Sequence, residues 1–168
     1  VCVACFPWRI PTSLLALPTY GFLNLHPSLL PAHRGPAPLF WQLRAGLRTI
    51  GVTAHWMDPD FDTGPLAAQR PLVLPDGVSA AEIDRRCAAV GASLLRMVLQ
   101  QLAQGVVPRQ HQLHAGSHQS WPTAAAFRLD CQWSGQHAYN FMRGTADWQQ
   151  PYPLDVAGEE LWLRTALR

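Results

Sequence analysis

Apolar and polar positions along the chain alternate between two periods. "VCVACF" (1–6) is a short apolar run stopped by Pro7, the pattern of a buried strand. "PTSLLAL" (11–17) predicts a single helical turn ended by Pro18, and "GFLNLH" (21–26) predicts a second strand. A loop through Gly35 follows. Pro36 suits the first turn of a helix, and "PLFWQLRAG" carries apolar residues at helical spacing up to Gly46. "IGVTAHWM" (50–57) alternates as a strand does, "DPDFDTGP" (58–65) is rich in turn formers, and "LAAQRPLVL" (66–74) is extended again. The clearest helix spans 79–104. Ser79 and Glu82 form an S-x-x-E capping box, and Ile83, Cys87, Val90, Leu94, Val98 and Leu102 share one stripe before Gly105. Strands alternating with helices predict an α/β fold on a partly parallel sheet.

Beyond Pro108 the pattern changes. "RQHQLHAGSHQSWPTAAA" (109–126) has few periodic apolar positions and reads as a polar connector. Residues 134–143 predict a short helix, and "ELWLRTAL" (160–167) a strand with no partner after it. The expected division is a first domain over 1–108, a connector over 109–133, and the start of a small β-rich region over 134–168.

Composition narrows the class. With 48% hydrophobic and 14% charged residues among 168, a sizeable core is available and general disorder is excluded. The net charge of +2 is too small to imply a nucleic-acid partner, and Arg44 with Arg48 makes no basic patch. Trp41, Trp56, Trp121 and Trp133 read as packing residues. Cys2 and Cys5 form C-x-x-C, but residues three apart on a strand diverge, so the four cysteines are expected to be reduced, buried thiols, with Cys87 and Cys131 in the core. No apolar run is long enough to span a bilayer and no basic leader precedes the first strand, so a cytoplasmic location is expected.

The second strand carries the first chemistry. With a side-chain period of two, Asn24 and His26 share one face, and Pro27 ends the ladder directly after them. In open parallel sheets ligands bind at the carboxyl ends of strands, so an amide and an imidazole stand together at the rim of a cleft. The amide can donate to a developing oxyanion, and the imidazole can donate or move a proton. Either residue also has an ordinary structural use.

"NLHPSLLPAHRGPAPLFW" followed by "GVTAHWMDPDFDTGPLAAQ" resembles the folate-dependent formyltransferases, which include tRNA, purine-pathway and sugar-amine enzymes. The resemblance covers residues 5–75 closely and runs more weakly through the helix at 79–104. It implies a Rossmann-like sheet whose preceding β-α units are missing ahead of Val1. It also implies a catalytic trio of Asn24, His26 and Asp62, with Asp62 holding His26 protonated. "WRIP" implies Arg9 and Ile10 at the pterin pocket. Ser28, Leu29, Leu30 and Pro31, with Asp58 and Asp60, would frame the rest of the folate site. The implied co-substrate is 10-formyltetrahydrofolate, with no metal, and the implied partner is an amine acceptor.

Further candidates are weaker. His55 shares parity with Thr53 and Met57, and its "GVTAH" context resembles the purine-pathway enzyme; packing is an equal alternative. Arg34 could meet a glutamate tail or a phosphate, although a solvated loop cation is the plainer reading. His111, His114 and His118 lie in the connector without carboxylates and make a poor metal site. "RGPAPLFW" resembles the tRNA and sugar enzymes, which makes methionyl-tRNA the leading acceptor and a sugar or other small amine the next. A 10-formyltetrahydrofolate deformylase and an inactive folate-binding remnant complete the alternatives. The deformylase carries a second His where Pro27 stands.

Overall fold

A computed structural model describes residues 1–6, 8–113 and 115–166. Four strands form the main sheet in the order β1 (Cys2–Ala4), β2 (Leu23–His26), β3 (Thr49–Trp56) and β4 (Leu66–Val73). β1 and β2 run parallel, and the β2–β3 and β3–β4 pairs are antiparallel, so the sheet is mixed as the pattern predicts. Helix α1 (Thr12–Leu15) is a single turn in the β1–β2 crossover. Helix α2 (Pro38–Arg44) starts later than expected: Pro38, not Pro36, takes the first helical turn, behind Ala37 as N-cap.

Helix α3 (Ala80–Ala103) covers the sheet. Ser79 Oγ accepts the Glu82 N–H, which is half of the capping box. The Glu82 carboxylate turns instead to Arg85 and Arg86. Ile83, Cys87, Leu94 and Val98 are buried with Ile50, Val52 and Ala54 of β3. Burying one such aliphatic side chain is worth about 1.5–3 kcal/mol, so this layer anchors β3 against the helix.

The later elements are α4 (Gly135–Gly144) and an antiparallel hairpin of β5 (Tyr152–Val156) and β6 (Glu159–Leu163). The last strand thus pairs with the segment before it. Phe127, Phe141 and Tyr152 are buried in one cluster with Phe40 of α2, ring to ring at 4.9 Å for Phe40–Phe127 and 5.3 Å for Phe40–Phe141. The cysteines depart from expectation. Cys87 is buried, but Cys2, Cys5 and Cys131 are free and exposed. β1 is an edge strand and Cys131 sits in a surface turn, so neither place offers a core.

Candidate active site

The β2–β3 register builds the floor. Asn24 pairs with His55 and His26 with Thr53, so four polar side chains rise from one face of two adjacent strands. Asn24 Nδ2 lies 3.1 Å from His55 Nε2. His55 Nδ1 is 3.2 Å from the Trp56 carbonyl, an acceptor only, so that ring nitrogen carries a proton. The second N–H of the Asn24 amide is left for the cleft.

Asp62 arrives from the loop between β3 and β4. Its Oδ1 stands 3.5 Å from His26 Nδ1 and 3.4 Å from His55 Nε2, and its Oδ2 accepts the Gly35 N–H at 2.8 Å. The Asp62 backbone is left-handed, at φ 57°. Gly64, two residues on, is required by space: a Cβ there would collide with the Trp56 carbonyl oxygen. Asp58 caps the same loop by accepting the Thr63 hydroxyl at 2.7 Å.

Electrostatics separates the two titrating partners. Burial alone would raise the Asp62 carboxyl. The neighbouring His55 and His26 rings and the Gly35 N–H outweigh it and hold the carboxyl below its ordinary value, so it is anionic at neutral pH. Burial pushes His26 down, against the opposing pull of Asp62 and the His33 carbonyl. The His26 Nε2–H donates to the His33 carbonyl at 2.9 Å, which leaves that N–H no reach toward a cleft oxyanion. Asn24 keeps that capacity.

The cleft itself is walled by Phe6, Trp8, Arg9, Ile10, Met57 and the 58–62 loop, with Asn24, His55 and Asp62 at its base. Arg9 and Ile10 are thus brought to the site, Arg9 lying over the Phe61 ring at 5.1 Å and pairing with exposed Asp60 at 3.3 Å. Ser28, Leu29, Leu30 and Pro31 are not among its walls. Ser28 is fully buried and donates to the Ala32 carbonyl; Thr53 donates to the Ser28 carbonyl and accepts the Leu30 N–H; and Gln69 donates to the Leu30 carbonyl. This segment shapes the turn behind the floor.

Arg34 is engaged by the connector. Its guanidinium donates to the Ala115 carbonyl and to Gln112 Oε1. Of the connector histidines, His114 lies outside the described residues, and no group of three metal-ligating side chains occurs among those described. Sequence reasoning missed Gln112 and Ser117, which grip the site from the connector. Polar residues in an aperiodic stretch carry no signal of that grip. It also missed the cleft walls Phe6, Trp8 and Phe61, although their apolar character beside "WRIP" and "DPDFDTG" was a usable signal.

The fold is that of a group-transfer enzyme family. The Formyl transferase family matches residues 1–99, and the chain belongs to it. A methionyl-tRNA formyltransferase of Acidobacterium capsulatum is 36% identical over 160 residues, covering 94% of this chain and 51% of its own length. The chain spans about half the length of the curated relatives it matches. Among solved structures, HypX from Aquifex aeolicus in complex with tetrahydrofolic acid aligns at a TM-score of 0.75 and 22% identity, covering 95% of this chain and 28% of that one. The formyltransferase PseJ from Anoxybacillus kamchatkensis, in complex with a formamido UDP-sugar and tetrahydrofolate, aligns at 0.67 and 21%, covering 85% and 75%. No helix among the described residues is long and apolar enough to cross a membrane.

Proposed function

We propose that this chain carries the catalytic groups for transferring a formyl group from 10-formyltetrahydrofolate to an amine. The observation that supports it most directly is the position of the Asp62 carboxylate between His26 and His55, beside the Asn24 amide, at the base of a cleft with flat apolar walls. Those walls suit a heteroaromatic ring, and the amide and carboxylate suit its polar edge. The cleft is narrow, about 30 Å³ against the several hundred typical of ligand sites, so the ligand must part the 58–62 loop from the 6–10 segment. When bound, the folate supplies the activated formyl group; every other role below belongs to this chain.

Asn24 donates its free amide N–H to the formyl oxygen as charge develops there, a contribution typically of about 3–4 kcal/mol. Asp62, anionic at neutral pH, accepts the proton released by the attacking amine, and that proton returns to the folate nitrogen as the bond from the formyl carbon to that nitrogen breaks, releasing tetrahydrofolate. His26 and His55 both face Oδ1, so an arriving proton is shared with two imidazoles. His26 thereby acts as a proton-sharing partner of Asp62. Ile10 and Arg9 border the ring pocket, and Asp58 and Asp60 shape the loop that closes it.

Methionyl-tRNA is the leading acceptor, on the support of the sequence relatives. An amino sugar nucleotide is the second reading, on the support of the PseJ alignment. The test is production of tetrahydrofolate by the full-length protein with 10-formyltetrahydrofolate and each acceptor in turn. Turnover is expected only with an amine. Equal turnover with water alone would replace the transferase by a deformylase, and tight folate binding with no turnover would leave a binding remnant.

A further inference from the structure

The connector after Pro108, which has little regular structure, is bonded to both segments that orient the titrating groups. On one side Gln110 exchanges both backbone hydrogen bonds with Leu66, at 2.8 and 2.9 Å. Gln112 Nε2 then donates to the Asp62 carbonyl at 2.9 Å and to the Gly64 carbonyl at 2.8 Å, one residue on either side of Thr63. On the other side Ser117 accepts the His33 N–H on its hydroxyl at 2.8 Å and the Arg34 N–H on its carbonyl at 2.8 Å, and its own N–H donates to Pro31. Gln119 donates to the Arg34 carbonyl. Arg34 joins the two sides, with Nη2 on Gln112 Oε1 at 2.6 Å and Nη1 on Ala115 at 3.0 Å.

Both sides end at reacting groups. His33, held by Ser117, presents the carbonyl that accepts His26 Nε2–H. Gly35, next to Arg34, presents the N–H that Asp62 Oδ2 accepts. A side chain at Gly35 would collide with the Gln119 carbonyl, and its φ of 108° favours glycine, so the approach of connector and loop is built in at the backbone. Asp62 has a left-handed backbone, a state that costs free energy and persists where the surroundings over-determine it. Gln112 supplies that constraint: it is a primary amide whose two N–H groups match two carbonyls, while its oxygen is held by a guanidinium.

The geometry points to Gln112 as a positioning residue that sets the Asp62 carboxylate against His26 and His55, with Arg34 and Ser117 completing a strap across the site. This rests on the formyl-transfer reading for its kinetic consequence. Arg34 then serves the strap with one N–H from each of Nη1 and Nη2.

The test is Gln112→Ala and Gln112→Glu in the full-length protein, with folding checked by circular dichroism and thermal melts. For Gln112→Ala the expected result is a fall in kcat of about 10- to 100-fold with the folate KM nearly unchanged, because small misplacements of reacting groups have effects of that size. Gln112→Glu keeps an acceptor for Arg34 but sets a carboxylate against two carbonyl oxygens. It should be at least as impaired near pH 8, and it should recover relative to Gln112→Ala as acid lets the carboxyl donate again. Histidine-selective NMR without substrates gives a second readout: the His26 and His55 ring signals should shift in both variants. Wild-type kcat, pH profile and ring signals in both folded variants would overturn the proposal. If the wild-type protein transfers no formyl group, the functional reading fails, and the ring signals alone decide on the strap. Should Gln112→Ala not fold, Ser117→Ala is read in the same way, with a smaller, severalfold loss expected and an unchanged profile counting against the strap.

Discussion

Asn24, His26, Thr53 and His55 stand on paired strands, whereas Asp62 stands on a loop. The strand residues take their places from the β2–β3 register and from the buried layer of Ile50, Val52 and Ala54 under α3. Asp62 takes its place from contacts that are far apart in sequence: the Gly35 N–H, the Gln112 amide, and a turn that tolerates no side chain at Gly64. Groups fixed by a register cannot move without breaking the ladder. Groups fixed by loop contacts hold their place only as long as those distant contacts do, and the narrow cleft requires the loop to part from the 6–10 segment. The comparison teaches that the floor takes its geometry from the ladder, and the loop charge takes its place from partners far along the chain.

The comparison can be broken in four ways. Asp62→Asn keeps the shape of the loop and removes its charge; kcat should fall by about 10³-fold, and a loss below tenfold would mean the loop carries no proton. Asn24→Ala removes the free donor of the floor, and kcat should fall by about 10²-fold or more with the folate KM nearly constant. A rise in KM at constant kcat would instead make Asn24 a binding residue. Gly64→Ala forces the loop from the Trp56 carbonyl and should lower stability by about 1–3 kcal/mol in chemical denaturation, with no change expected if the turn is already pliable.

The smallest effect is a pH dependence of stability. Burial lowers His26 from the ordinary value of 6.5, so below 6.5 the unfolded chain binds more protons than the fold does. Stability is then full above 6.5 and declines as pH falls toward the lowered value. His33 acts with the same sign, also through burial. Asp62 has a depressed pKa, so its contribution persists above 3.8 and fades only as pH falls further. Denaturation midpoints measured from pH 7.5 to 5.5 should decline, and His26→Gln should flatten the decline. An equal slope in that variant would assign the effect elsewhere.

Much of this architecture was legible in one dimension because its causes are local. The stripe from Ile83 to Val98 announces a helix with one buried face, and the Ser79 cap marks its start. The alternation in "FLNLH" places Asn24 and His26 on one face, and strand pairing preserves that parity in space. Other expectations failed where neighbours far along the chain decide the outcome. Cys131 is apolar enough for a core but sits where the fold has surface. The backbone carbonyls of Ser28 and Leu30 are taken by Thr53 and Gln69, partners that no local pattern announces. Arg34 reads as a free loop cation and is bound by the connector.

By itself the sequence determined the order of strands and helices as far as α3, the family, and the identities of an amide, an imidazole and a carboxylate, since periodicity and motif spacing are properties of the chain alone. Tertiary structure alone decided that Asp62 stands between two histidines, that burial draws the His26 imidazole down, and that Gln112 reaches across to the loop. These are matters of distance and of water exclusion between segments up to 50 residues apart, and no local pattern of polarity encodes them.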